Sequence, residues 1–330
     1  MLLYNLYNKN TKIEEEDDNN TLLIRTGYSL YDIIQMNKIP TILRPWVHLY
    51  RSTPKLYLPY TKIDIFFSLL CAIAFSTLRI AFRYVLYYFG WTIGGEDTYF
   101  AAACMTSFWH STLILPGLAS LLLSQPFVPS GKLETSPQWY QDATHSILSY
   151  CTGYMIYDSI LGYVIETWQP GIGPVLTMDD WTFVGHHILT SLYMLSCRLI
   201  SAGHMSAMIL MFNGEFSAPI MNMHFFLEKA LEQDCCKGIE WLPTLFASNE
   251  QVFSIVYLVC RVMVSPFVIS YVSYDLLFTR GREKRDVPLW LAISWMPMCW
   301  GVQFGSIPWI MTCMEKVKAS SSMVGNGGEL

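Results

Sequence analysis

Charge is what this sequence has least of. Asp, Glu, Lys and Arg make up 14% of its 330 residues and hydrophobic residues 52%, whereas about a quarter of a soluble domain is charged. The net charge of -5 is small and mixed in sign, which excludes an extended nucleic-acid surface. Paired cysteines are also missing. The nine present lie mostly inside apolar runs, without metal-ligand spacing, so no disulfide framework is expected. Cys235-Cys236, in a connecting segment, reads either as free thiols or as a lipid-modification site. There is no H-E-x-x-H and no set of separated histidine boxes, so no metal is expected and no bound cofactor. Nor is there a repeat of about 20 to 50 residues that would signal a solenoid.

What is present is apolar sequence in long runs. A spanning helix needs about 20 mostly apolar residues. Seven stretches qualify: 63–91, 99–123, 143–165, 181–200, 204–227, 251–274 and 287–312. One such run fits a buried core helix; seven predict an all-α, polytopic integral membrane protein. The expected organisation is an amino-terminal tail at 1–62, a membrane domain at 63–315 and a flexible end at 316–330. The tail opens with an apolar stretch too short for a signal peptide and passes into an acidic, Asn-rich tract that reads as disordered. Pro40, Pro45, Pro54 and Pro59 exclude a long helix in its second part, where Trp46 and several Tyr, Lys and Arg suit the headgroup region. Arg79 and Arg83 interrupt the first span and are expected to snorkel towards one end. Trp91, Trp139, Trp168, Trp181, Trp241 and Trp290 fall near predicted ends, as an interfacial belt requires. The Lys and Arg balance, about fourteen on the amino-terminal side against about four opposite, favours a cytosolic amino terminus.

The ionisable residues inside the spans carry the functional argument, because each costs a few kcal/mol at the bilayer centre. Counting about 1.5 Å per residue from the predicted ends puts Asp158 and His187 roughly 10 Å below one membrane face, and His110, Glu215 and Arg261 about 15 to 18 Å below it. This layering predicts a polar cavity opening towards loops 166–180 and 228–250. Each residue also has a bland reading: Asp158 and Arg261 as a structural ion pair, Glu215 as a neutral hydrogen-bonding partner, His110 as a satisfied core histidine. Pro219, four residues past Glu215, predicts a kink there. Adjacent helical residues diverge by about 100°, so His186 and His187 cannot readily chelate one ion. A histidine beside a carboxylate suits acid–base or nucleophilic work instead. Spacing does not decide which histidine meets Asp158.

The ordered series "FWHS" (108–111), "GYMIYD" (153–158), "HHIL" (186–189), "NGEFSAPIMN" (213–222) and "CRVMVSPF" (260–267), with a Trp-rich last span, resembles the TLC-domain family of translocation-associated membrane proteins and ceramide synthases. The resemblance implies an endoplasmic-reticulum membrane protein whose helices surround a lipid-accessible cavity. It implies acyl transfer, with acyl-coenzyme A as a co-substrate, His186 and His187 as catalytic candidates and Asp158 orienting them. Tyr154, Tyr157, His110, Glu215, Asn222 and Arg261 are then the candidate cavity residues. The synthases carry H-D-x-x-D where this chain has "GEFSAP", a pattern nearer the smaller TLC-domain-containing proteins, so the resemblance leaves sphingolipid and phospholipid substrates both open. The synthases also imply a cytosolic histidine face, opposite to the charge count. Two functions follow: a lipid acyltransferase taking its acyl group from acyl-coenzyme A or a phospholipid, or a non-enzymatic lipid-binding or cargo-handling protein. Membrane lipids are the expected partners, with a homo-oligomer as a further option.

Overall fold

The computed structural model describes residues 39–326 apart from 60, 62 and 280–285. The acidic tail and the basic run at 280–285 therefore lie outside the described residues. Met1–Pro40 and Thr41–Leu330 form separate units, and all that follows concerns the second.

The unit is all-α. Helix α1 (Arg44–Ser52) carries Pro45 in its first turn, where a missing N–H costs nothing. It is followed by α2 (Phe66–Tyr88), α3 (Glu96–Ser124) and α4 (Gln138–Tyr157), the last running into a π-helical segment, Asp158–Ile165. A hairpin of two-residue strands, Trp168–Gln169 and Gly173–Pro174, leads to α5 (Met178–Ile200). Next come α6 (His204–Glu215) and α7 (Ala218–Glu232). Helix α8 (Leu242–Leu258) continues through π-helical Val259–Val264 into α9 (Ser265–Tyr274). Helices α10 (Leu289–Gly305) and α11 (Ile307–Asn326) close the chain.

Three of these are long and apolar enough to cross a membrane: Phe66–Tyr88, Glu96–Ser124 and the continuous rod Leu242–Phe278. Side-chain placement agrees with a lipid solvent. Ile73, Met263 and Phe267 are exposed, while Ser68, Thr106, Ser149 and Ser254 are buried. Water would favour the reverse; in lipid, small polar residues belong between helices.

Several expectations need correction. The 228–250 connection is mostly helix, leaving only 233–241 between α7 and α8, because Leu227, Ala230 and Leu242 pack into one apolar cluster with Trp91. Trp91 therefore belongs to the core rather than the belt: it is 5% exposed and stacks on Phe226 at 5.9 Å. Trp168, Trp181, Trp241 and Trp290 do face outwards. The stretch 287–312 is two helices broken at Ser306. The flexible end expected from 316 is helical to Asn326, with no Gly or Pro before Gly325 and Lys316 paired to Glu250 at 2.6 Å. Leu43 and Val47, within the stretch assigned to the tail, are fully buried against the bundle.

The α2–α4 contact sets the site. It is close because Gly153 has no side chain: a Cβ there would sit 2.4 Å from the Ser68 carbonyl oxygen and 2.6 Å from the Cys71 Cβ. Gly153→Ala should therefore force the helices apart at a cost of about 1–3 kcal/mol, seen as a lower thermal midpoint of the detergent-solubilised protein. Gly238→Ala, where a Cβ meets nothing within 4 Å, should leave the midpoint unchanged.

Candidate functional site

Three of the charged residues expected within spans sit where helical hydrogen bonding is irregular. Asp158 begins the π-helical end of α4, Arg261 lies in the π-helical segment after α8, and Glu215 ends α6. The break after Glu215 is the interruption expected from Pro219, which occupies the first turn of α7. Such irregularities turn side chains away from the regular helical stripe and are frequent at functional sites.

Helix α5 brings the histidines. Its start is fixed by a capping box: the Asp180 amide donates to the Thr177 hydroxyl at 3.2 Å, and the Thr177 amide donates to the Asp180 carboxylate at 2.8 Å. From there His187 Nδ1 lies 3.4 Å from Asp158 Oδ2, both side chains being largely shielded. His186 turns away, its Nδ1 3.4 Å from the Thr190 hydroxyl and its ring 5.7 Å from that of His187. His187, not His186, therefore meets the aspartate.

A second polar pair lies one aromatic layer away. His110, fully buried on α3, has Nε2 3.8 Å from Glu215 Oε1, and the Ser111 hydroxyl donates to Glu215 Oε2 at 2.6 Å. The His110 ring stacks on Tyr154 at 3.9 Å and on Tyr150 at 5.3 Å. The other side of Tyr154 approaches His187, ring to ring, at 6.3 Å. Phe75 touches His110, Tyr150, Tyr154 and Tyr157, closing the layer from α2.

Arg261 joins through the backbone. Its guanidinium donates to the Gly214 carbonyl at 3.4 Å and lies over Tyr257, while Gln303 donates to the Arg261 carbonyl at 2.7 Å. The structural ion pair considered for Asp158 and Arg261 is not the arrangement found, since Asp158 faces His187. Asn222 donates to the Ser107 hydroxyl at 3.0 Å and to the Ala218 carbonyl at 2.8 Å. Among the described residues, both ring nitrogens of His110, His187 Nδ1, the Tyr150 hydroxyl, Arg261 Nε and Gln303 Oε1 are buried without a hydrogen-bond partner. His110 Nε2 and His187 Nδ1 face carboxylates at 3.8 and 3.4 Å; the other four atoms leave hydrogen-bonding capacity for a polar ligand.

The arginines of α2 do not snorkel. Arg79 and Arg83 turn inwards and share Glu166, one on each carboxylate oxygen. Arg79 also donates to the Tyr157 hydroxyl at 3.4 Å. Glu166, which sequence spacing assigns to a loop, directly follows the π-helical segment. The visible signal was an Arg-x-x-x-Arg pair in an apolar run, which has to find an acid. Ser111 was likewise missed, although it stands beside His110 in "FWHS". A separate open cleft, about 510 Å³, lies towards the start of α4, lined by Tyr50, Lys55, Asp142 and His145. It is far along α4 from the histidines.

Residues 100–315 match the family model described as TLC domain. No curated protein matches the chain, and no solved structure does.

Ser111→Ala should remove the strongest direct support of Glu215 and lower stability by about 1.5–3 kcal/mol, the range for a hydrogen bond to a charged group. Thermal unfolding in detergent measures this. Thr77→Ala, whose hydroxyl bonds only its own helix on an exposed face, is the unaffected comparison.

Proposed function

This chain belongs to the TLC-domain family, integral membrane proteins with a lipid-related function, and from that premise we propose that it transfers fatty acyl groups between membrane lipids. In this reading seven spans built from α2 to α11 cross the bilayer of the endoplasmic reticulum. The donor is acyl-coenzyme A or a phospholipid; the acceptor is a lipid amine or hydroxyl. The observation that carries the proposal is the 3.4 Å approach of His187 Nδ1 to Asp158 within a bundle that excludes water.

A carboxylate at Nδ1 orients the imidazole and stabilises its protonated form, leaving Nε2 for substrate. His187 takes the proton from the acceptor as its nitrogen or oxygen attacks the acyl carbonyl carbon. The tetrahedral intermediate then breaks its bond to the donor's sulfur or oxygen, and the imidazolium returns the proton to that leaving group. Arg261 and Gln303, with buried polar atoms unpartnered, are placed to hold a polar substrate group. Glu215, held by Ser111, sets the charge beside His186, and the Tyr154–His110 stack forms a wall. Exclusion of water protects the acyl group from hydrolysis.

Purified protein in lipid nanodiscs, supplied with labelled acyl donors and sphingoid, lysophospholipid or glycerol acceptors, tests this. His187→Gln and Asp158→Asn should each lower turnover by about 10²-fold or more, the scale of general acid–base catalysis, with abundance and insertion unchanged. His186→Gln should have a smaller effect. No turnover and no acyl adduct by intact mass with any acceptor would sink the enzymatic reading and favour a lipid-binding protein.

A further inference from the structure

The Arg79–Arg83–Glu166 cluster takes no part in the proton transfer above, and its composition is unusual for a structural ion pair. One carboxylate serves two guanidiniums, both on the inward face of α2, where Arg79 is 3% exposed. Residues four apart on a helix lie side by side, so the two cations form one patch. The Nε atoms of both arginines are buried without a hydrogen-bond partner. Arg83 is also held against the Tyr99 ring at 4.1 Å, which fixes its position. Paired, aligned guanidiniums are the preferred receptor for carboxylate or phosphate oxygens. Here the occupying anion belongs to the protein itself. Glu166 follows the π-helical segment, beyond regular helix and ahead of a two-residue hairpin, so its side chain can leave without breaking a helix.

We propose that Arg79 and Arg83 form a phosphate site for a glycerophospholipid, occupied by Glu166 until the lipid displaces it. The inference rests on the acyl-transfer reading only for the consequence that this lipid is the acyl donor. Distance selects the class. A point beside Gly162 is 3.2 Å from Arg79 Nη1 and 3.4 Å from Asp158 Oδ1, and Asp158 touches His187. The anion site therefore adjoins the histidine pair. In a glycerophospholipid the phosphate is a few bonds from the ester, so both fit side by side. In acyl-coenzyme A the whole pantetheine arm separates the thioester from the phosphates. A side chain at position 162 would press on Arg79 Nη1.

The test measures binding separately from turnover. Full-length protein in detergent is titrated with diacyl phosphatidylcholine, with diacylglycerol as the phosphate-free analogue, and with acyl-coenzyme A, and retained ligand is read by native mass spectrometry. Glu166→Gln should raise phosphatidylcholine retention by about tenfold, the scale of one charge-assisted contact. Arg83→Gln should lower it similarly, Arg83→Lys should restore part of it, and diacylglycerol should not respond to any of them. Because Glu166→Gln can weaken folding, Glu166→Asp is run beside it, and only samples with wild-type gel-filtration profiles count. Retention indifferent to both Glu166 and Arg83, or a tenfold response seen only with acyl-coenzyme A, overturns the proposal. Altered retention without turnover in any protein would leave the phosphate site standing and remove the acyl-transfer reading. Turnover with indifferent retention would do the opposite.

Discussion

An ionised side chain inside an apolar bundle must find its counter-charge or hydrogen-bond partner within the bundle, and that constraint organises this protein. Arg79 and Arg83 turn inwards to Glu166, Asp158 to His187, and Glu215 to Ser111 and His110. The pairs join α2 to the end of α4, α4 to α5, and α3 to α6. The charges thus act as joints between α2, α3, α4, α5 and α6, in a setting where hydrophobicity gives helices little reason to choose one another.

Regular helices would not suffice to bring these groups together. The end of α4 and the segment after α8 are π-helical where Asp158 and Arg261 occur, and the α6–α7 rod breaks after Glu215. Arg261 Nε, in one of these irregular segments, is buried and unpartnered, as is Gln303 Oε1 on α10. Packing elsewhere compensates: Gly153 lets α2 and α4 approach to backbone contact, and the stack of Tyr150, His110 and Tyr154 fills the space between the two polar pairs. Rigid aromatic packing beside irregular, polar helix ends suits a site that holds a substrate's reactive group while admitting long chains from lipid.

The open cleft between α1 and α4 is more polar and less shielded than the histidine layer, with Lys55 over the Tyr50 ring and paired to the buried Asp64. Burial lowers the Lys55 ammonium from its usual range. Arg51 pairs with Asp142 at 2.7 Å and Arg198 donates to the Asp64 carbonyl at 2.9 Å, so the chain before the first span belongs structurally to the domain that follows it.

The sequence by itself determined the class of protein and its ingredients. The all-α character and the presence of membrane-crossing helices follow from length and hydropathy, and the break near Glu215 follows from Pro219. The association of Asp158 with a histidine was legible because both depths could be counted from the same end. The boundaries were not legible where tertiary contacts extended helices through polar sequence, as at 228–250 and beyond 316. Only the folded structure decided that His187 rather than His186 meets Asp158, since that depends on helix phase and on the π-helical turn. It alone decided that Arg79 and Arg83 face inwards, because the acid they require lies about eighty residues away in the chain. Spacing along one helix fixes which residues share a face; which face meets which neighbour is settled only when all the helices pack at once.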